Sequence, residues 1–246
     1  MPITVKSSRE IELMTEAGRI LEIVHKELEK ALHPGMTTKA IDRLGEEIIR
    51  SYGCIPSFLD YNGYPASICV SVNDEVVHGI PSEHRIIREG DIVSLDAGVI
   101  YKGYHSDAAR THCVGEVSKE AQNLVRVTRE CFFEGIKYAK EGNHLFDISG
   151  AIGRYAEERG YGVVRDLCGH GIGTALHEAP EIPNYEVGRK GVRLRPGMTL
   201  AIEPMINIGT HEVDWLDDDW TVVTRDGSLS AHYENTILIT EGEPRI

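Results

Sequence analysis

Between residues 8 and 32 the apolar positions Ile11, Met14, Ala17, Ile20, Leu21, Val24 and Leu28 recur every three or four residues. That is the spacing of an amphipathic helix that buries one face. Pro34-Gly35 stops it. Thr37 or Thr38 then caps a second helix running to about residue 52, with Ile41, Leu44, Ile48 and Ile49 turned inward and Gly53 at its end. Beyond this point the pattern changes. Residues 68–72, 91–95 and 97–101 are rich in β-branched side chains and bounded by Gly, Pro or Asn, which predicts strands. The glycine of Lys102-Gly103 predicts a hairpin that returns through residues 104–114. Helical spacing reappears at residues 119–140 and 147–159, closed by Gly142 and Gly160. Strands follow at residues 199–203, 220–224 and 231–240. Two helices followed by strands, twice over, predict an internal duplication of one α+β unit. No low-complexity linker separates the halves, so one domain over residues 1–246 is expected.

Composition narrows the class. With 246 residues and 41% hydrophobic content the chain can bury a sizeable core, and its apolar runs stop far short of a membrane span. The opening residues lack the apolar core and small-residue cleavage site of a secretory signal, so a cytoplasmic location is expected. Five cysteines without a C-x-x-C pair argue against a disulfide framework and against a cysteine zinc site. A net charge of −13 disfavours broad contact with nucleic acid, and no sequence-specific recognition of it is expected. Against that background Arg189, Lys190, Arg193 and Arg195 form a local basic segment, either a solvated loop or a docking point for an acidic partner.

Five potential metal ligands carry the strongest chemical signal: Asp96, Asp107, His170, Glu203 and Glu234. Asp96 closes an apolar strand, where a carboxylate must be paired, protonated or metal-bound. Alone, such an Asp is more often a turn or cap residue. Asp107 lies across the expected hairpin, and two facing carboxylates repel unless a cation sits between them. Glu203 and Glu234 repeat the pattern within apolar surroundings, and His170 stands between glycines that let the backbone approach a site closely. Other hydrolytic chemistries fit poorly. There is no H-E-x-x-H helix, no G-x-S-x-G elbow, and only one Asp96-Ala-Gly98 stretch where an aspartic protease wants two Asp-Thr/Ser-Gly loops.

The stretches Ser71-Val-Asn-Asp-Glu-Val-Val-His78-Gly-Ile-Pro81, Gly90-Asp-Ile-Val-Ser-Leu-Asp96, Gly103-Tyr-His-Ser-Asp107, Cys168-Gly-His170-Gly-Ile-Gly173, His177-Glu, Ile202-Glu203-Pro204 and Ser230-Ala-His-Tyr-Glu234-Asn-Thr span nearly the whole chain. Together they resemble the type 1 methionine aminopeptidases, in their short bacterial form. The resemblance implies a pita-bread fold: two pseudo-symmetric α+β halves around a central antiparallel sheet, with a dinuclear metal cleft. One metal would be held by Asp107, His170, Glu203 and Glu234, the other by Asp96, Asp107 and Glu234. Four carboxylates and one imidazole suit manganese, iron or cobalt, and zinc is also compatible. The implied activity is removal of the initiator methionine from nascent chains with a small second residue, by a hydroxide bridging the two metals.

The same resemblance assigns catalytic roles to His78, His177 and Glu203, the last as proton acceptor and ligand at once. It assigns the methionine pocket to Phe58, Tyr61, Tyr64, Cys69, His78, Leu176, His177 and Trp220. It also implies a monovalent cation near Asn73, Glu75 and Ser230, and an enzyme acting on the N-terminal methionine of nascent peptides; a monomer is expected, and the basic segment on this acidic chain suggests contact with the ribosome. Two rivals are a proline-directed aminopeptidase or dipeptidase on the same fold, and a non-catalytic binding module, which would be expected to have lost ligands.

Overall fold

A computed structural model of the chain describes residues 3–246. Helix α1 (Ser8–Ala31) starts at a capping box in which the Ser7 side chain accepts from the Glu10 amide while the Glu10 carboxylate takes the Ser7 amide at 2.7 Å. Its buried stripe is Met14, Ala17, Ile20, Leu21, Val24 and Leu28, the periodicity read from the sequence. Helix α2 (Thr38–Ser51) is capped by Thr37, whose hydroxyl accepts from the Ala40 amide at 3.1 Å. Strands β1 (Ile55–Pro56), β2 (Ile68–Val72), β3 (Glu75–Val77), β4 (Ile92–Tyr101) and β5 (Tyr104–Cys113) complete the first half.

Strand β4 is central to its sheet: β1 and β2 share one edge and β5 takes the other, all antiparallel. Lys102 and Gly103 both have positive φ, 49° and 87°, as the tight β4–β5 hairpin requires. Helices α1 and α2 cover this sheet, and Ile20, Leu28, Ile41, Ile68, Leu95 and Val99 form the core between them.

Helices α3 (Lys119–Ile136) and α4 (Leu145–Glu157) open the second half. Strands β6 (Gly162–Val163), β7 (Gly169–Gly171), β8 (Glu178–Ile182), β9 (Thr199–Ile202), β10 (Met205–Asn207), β11 (Val213–Trp215), β12 (Val222–Thr224), β13 (Ser230–His232) and β14 (Asn235–Leu238) follow. The main sheet here runs β14-β9-β7-β8, and a separate core around Leu124, Phe132, Ile148 and Ile202 packs α3 and α4 onto it. Two helices over an antiparallel sheet therefore occur twice, as the duplication predicts.

Several contacts join the halves, and two of them set the registers that matter for the site. Strand β3 pairs with β12 in a small sheet, and Ala109 on β5 exchanges both backbone hydrogen bonds with Glu234, at 3.3 and 3.0 Å. The sequence reading splits differently from the structure at two places. Residues 92–101 are one continuous strand with Asp96 inside it, where two strands were expected. Conversely the expected strand over residues 231–240 is broken at Tyr233 and Glu234, because the Glu234 backbone pairs with β5 instead of continuing the ladder to β10.

Candidate metal centre and its cleft

All five sequence-predicted ligands converge where the two main sheets meet. On the β4–β5 hairpin Asp96 pairs with Ala109 and Asp107 with Gly98. The two aspartates therefore lie diagonally on one face, within reach of each other across a position that carries no side chain. On the other sheet the register Asn235↔Ile202 brings Glu203, just after β9, beside Glu234, just before β14. His170 lies on β7, opposite Ala201. Asp107 is tied to β14 by the Thr236 hydroxyl, which accepts from the Asp107 amide at 2.9 Å and donates to its carbonyl at 3.0 Å.

The distances are those of a cation site. Ligand atoms of Asp107, His170 and Glu234 all come within 4.8 Å of one another. His170 Nε2 stands 3.5 Å from Glu203 Oε1 and 3.9 Å from Asp107 Oδ2. His170 Nδ1 lies 2.8 Å from the Gly171 carbonyl, which can only accept, so Nδ1 holds the proton and Nε2 turns a bare lone pair on the carboxylates.

Electrostatics point the same way. Asp107 and Glu234 are 4% and 2% exposed, and the oxygens Asp96 Oδ1, Asp107 Oδ1 and Glu234 Oε1 are buried without a hydrogen-bond partner. Burial pushes Asp96 up to about 7. Burial, and then the charges of Asp96 and Glu203, hold Asp107 well above the usual carboxylate range. Glu203 is raised by burial and Asp96, and Glu234 by burial, Asp107 and Glu203. Burial drives His170 in the opposite direction, to about 3, with His177 as a further contributor. Four carboxylates that resist ionising together, beside an imidazole kept neutral, are what divalent cations relieve. The residues present thus fit the group, and the oxygen-rich donor set favours hard divalent ions.

Over this centre opens a cavity of about 230 Å³. Phe58, Tyr61, Tyr64, Cys69, Leu176 and Trp220 supply its apolar wall, and His78 and His177 its polar one. The Trp220 ring meets Tyr64 edge-on at 5.1 Å and His78 at 6.2 Å. His177 packs on His170 at 4.2 Å between ring centres, and its Nδ1 is 2.6 Å from the Tyr61 hydroxyl. His78 follows β3 with φ of 60°, a strained conformation for a residue with a side chain, which aims it at the cleft rather than along the strand. Burial lowers His78 to about 4 and lowers His177 as well.

Asn62, Val77, Leu167, Cys168 and Met205 also line this cavity and were not singled out from the sequence. Asn62, Val77, Cys168 and Met205 stand within two residues of a predicted site position, the signal by which sequence could find them; Leu167 does not. His232 falls within the Ser230-Ala-His-Tyr-Glu234 stretch, whose sequence assigns it no role. For the expected monovalent-cation set, the Ser230 amide donates to the Asn73 carbonyl at 2.9 Å, while the Glu75 carboxylate accepts from the Val72 amide at 2.7 Å. Arg189, Lys190, Arg193 and Arg195 are exposed on the connection between β8 and β9. A larger cavity of about 450 Å³ lies between α1 and β14, behind Asp107, and lacks the convergent carboxylates.

Residues 12–241 match the family model for metallopeptidase family M24. The chain is 54% identical over 244 residues to a methionine aminopeptidase of Clostridium acetobutylicum, covering 99% of this chain and 98% of that one. It is 50% identical over 239 residues to methionine aminopeptidase 1 of Bacillus subtilis, covering 97% and 96%. The crystal structure of a methionine aminopeptidase from Thermotoga maritima superposes with a TM-score of 0.98 at 46% identity, over 100% of this chain and 98% of that one.

Proposed function

The chain belongs to metallopeptidase family M24, has its pita-bread fold and removes N-terminal methionine, and from that premise we propose how its residues do so. The observation that carries the reading is the convergence of Asp96, Asp107, His170, Glu203 and Glu234, with buried oxygens left unpaired, at the floor of an apolar cleft. Divalent cations bound there, two in number and of the manganese, iron or cobalt type with zinc compatible, lower the proton affinity of water and polarise a carbonyl.

The chain's own residues do the rest. Phe58, Tyr64, Cys69, Leu176 and Trp220 enclose the methionine side chain, whose thioether packs well against rings and sulfur. Glu203 takes the proton released by the attacking water and passes it to the departing amine. The Tyr61 hydroxyl donates to His177 Nδ1, which keeps the ring proton on Nε2 as the donor for the carbonyl oxygen as it gains negative charge. His78, kept neutral by burial, hydrogen-bonds the peptide nitrogen. Substrates with a small second residue are proposed, since a narrow cleft beyond these groups would reject bulk.

Release of free methionine from a Met-Gly peptide, measured with and without chelator and with added manganese or cobalt, tests this. Metal-dependent release is expected, and a Xaa-Pro panel should be turned over poorly. No methionine in any condition would sink the reading.

Asn73, Glu75 and Ser230 are further proposed to hold a monovalent cation through backbone oxygens. The enzyme is proposed to act as a monomer in the cytoplasm; among the described residues no helix is long and apolar enough to cross a membrane. Arg189, Lys190, Arg193 and Arg195 are proposed to dock it on the ribosome, since an exposed basic segment on a chain of net charge −13 favours a polyanionic partner. Reversing those charges should abolish co-sedimentation with ribosomes and leave peptide turnover unchanged.

A further inference from the structure

His232 lies on β13, is 1% exposed, and has both ring nitrogens buried without a hydrogen-bond partner. Its backbone is held on both sides. The Thr111 hydroxyl donates to its carbonyl and accepts from its amide, each at 2.9 Å, and the ladder pairs it with Met205. A ring buried on so firmly held a backbone, with two unmet polar atoms, costs stability unless those atoms serve something. Nε2 faces two acceptors, Glu203 Oε2 and Glu234 Oε2, each at 3.9 Å. Glu203 therefore sits between two imidazoles, with His170 3.5 Å from Oε1 on its other side.

The two histidines are not equivalent. The Gly171 carbonyl holds the His170 proton on Nδ1, leaving Nε2 as a ligand lone pair that gathers with Asp107 and Glu234. Among the described residues that gathering does not include His232, and no carbonyl holds a proton on its Nδ1. The proton is therefore available to Nε2, opposite two carboxylate oxygens.

We propose that His232 is a positioning residue of the metal centre, whose Nε2–H hydrogen-bonds the Oε2 atoms of Glu203 and Glu234 and sets the orientation in which those carboxylates hold a cation. This rests on the metallopeptidase reading and deepens it. The gap to an ordinary N–H···O bond is about 1 Å, within reach of a small side-chain rotation. Hydrogen bonds of this outer kind orient metal ligands, and their loss weakens binding by roughly 10- to 100-fold.

The test is manganese affinity by titration calorimetry on chelator-stripped protein, for wild type, His232→Leu and His232→Gln, with circular dichroism reporting the fold. The leucine variant keeps bulk and removes the donor, whereas glutamine restores a donor. Affinity should fall roughly 10- to 100-fold in His232→Leu and recover most of that in His232→Gln. Equal affinity in wild type and His232→Leu overturns the proposal and leaves the metal reading standing. Equal weakening in both variants makes the role one of packing and also overturns it. No manganese binding by wild type overturns the metal reading and this inference with it. Should the leucine variant not fold, wild-type protein with 15N-labelled histidine decides. On zinc titration Nε2 of His232 keeps its proton, and loss of that proton would make it a ligand and reject the positioning role.

Discussion

Metal-free protein should lose stability as pH rises above neutrality, and a divalent cation should remove the carboxylate share of that loss. In the folded state Asp107, Glu203 and Glu234 hold their protons well above the ordinary 3.8 and 4.5 of carboxylic acids, chiefly through burial. A folded-state pKa raised above the unfolded one contributes stability below the unfolded value and loses it as pH climbs through the folded value. The buried histidines act with the opposite sign. His25, His170 and His232 are lowered to about 3, and His78 and His105 to about 4, in each case mainly by burial. Their contribution is complete once pH passes the ordinary 6.5 and is lost only on acidification. Asp96 finishes its own decline near 7.

From about pH 7 to about pH 8.5 the slope therefore belongs to the other three carboxylates and, with the same sign, to the five cysteines, whose thiols are all raised by burial. Each carboxylate that still holds its proton costs about 1.4 kcal/mol per pH unit, so a single one removes about 2 kcal/mol over that interval. That is a substantial part of the ~5–15 kcal/mol typical of a folded domain. Urea denaturation followed by circular dichroism, in chelator at the two pH values, measures it as a lower midpoint at unchanged slope. Saturating manganese should narrow the gap between the midpoints, because the cation replaces the carboxylate protons and leaves the thiol share untouched; a gap that manganese leaves unchanged counts against the cluster's part in it. A metal-free midpoint that is equal or higher at the upper pH would refute the electrostatic reasoning about the cluster.

Replacing His177 with Ala should lower kcat for a Met-Gly peptide about 100-fold with a much smaller effect on manganese affinity, seen by steady-state kinetics beside calorimetry. Lys6→Met should cost about 3 kcal/mol in urea denaturation. It breaks a pair at 2.8 Å whose side chains are 4% and 11% exposed and leaves Glu178 without its cation. Because Glu178 adjoins His177, kcat should fall too, and adding Glu178→Gln should recover part of the stability. Gly98→Ala would set a Cβ 2.6 Å from the Ser57 Cβ and 3.0 Å from the Phe58 ring. The expected cost is about 1–3 kcal/mol, with a raised KM as Phe58 is pushed into the methionine cleft; an unchanged KM counts against the assigned pocket.

Much of this molecule can be read along the chain. The three-and-four spacing in α1, the threonine cap of α2, the glycine hairpin after Tyr101 and the repeated order of helices and strands are set by interactions over a few residues, and they appear in the structure nearly where expected. The chemical types of the five ligands are equally legible, since a carboxylate inside an apolar strand needs an explanation wherever it folds. What the chain order cannot express is which of these groups meet. Glu203 and Glu234 become neighbours only through the β9–β14 register, and Glu234 faces the aspartates only because its backbone pairs with Ala109 rather than continuing its own strand. The same pairing breaks the strand predicted over residues 231–240. It also leaves the His232 ring against both glutamates, although nothing in Ala231-His232-Tyr233 distinguishes that ring from an ordinary core histidine. Periodicity and capping act within a turn or two of helix or strand. Registers between segments some thirty residues apart, as β9 and β14 are, or more than a hundred apart, as Ala109 and Glu234 are, are decided by the packing of both halves at once, so the ligands are written in the sequence and their convergence belongs to the fold.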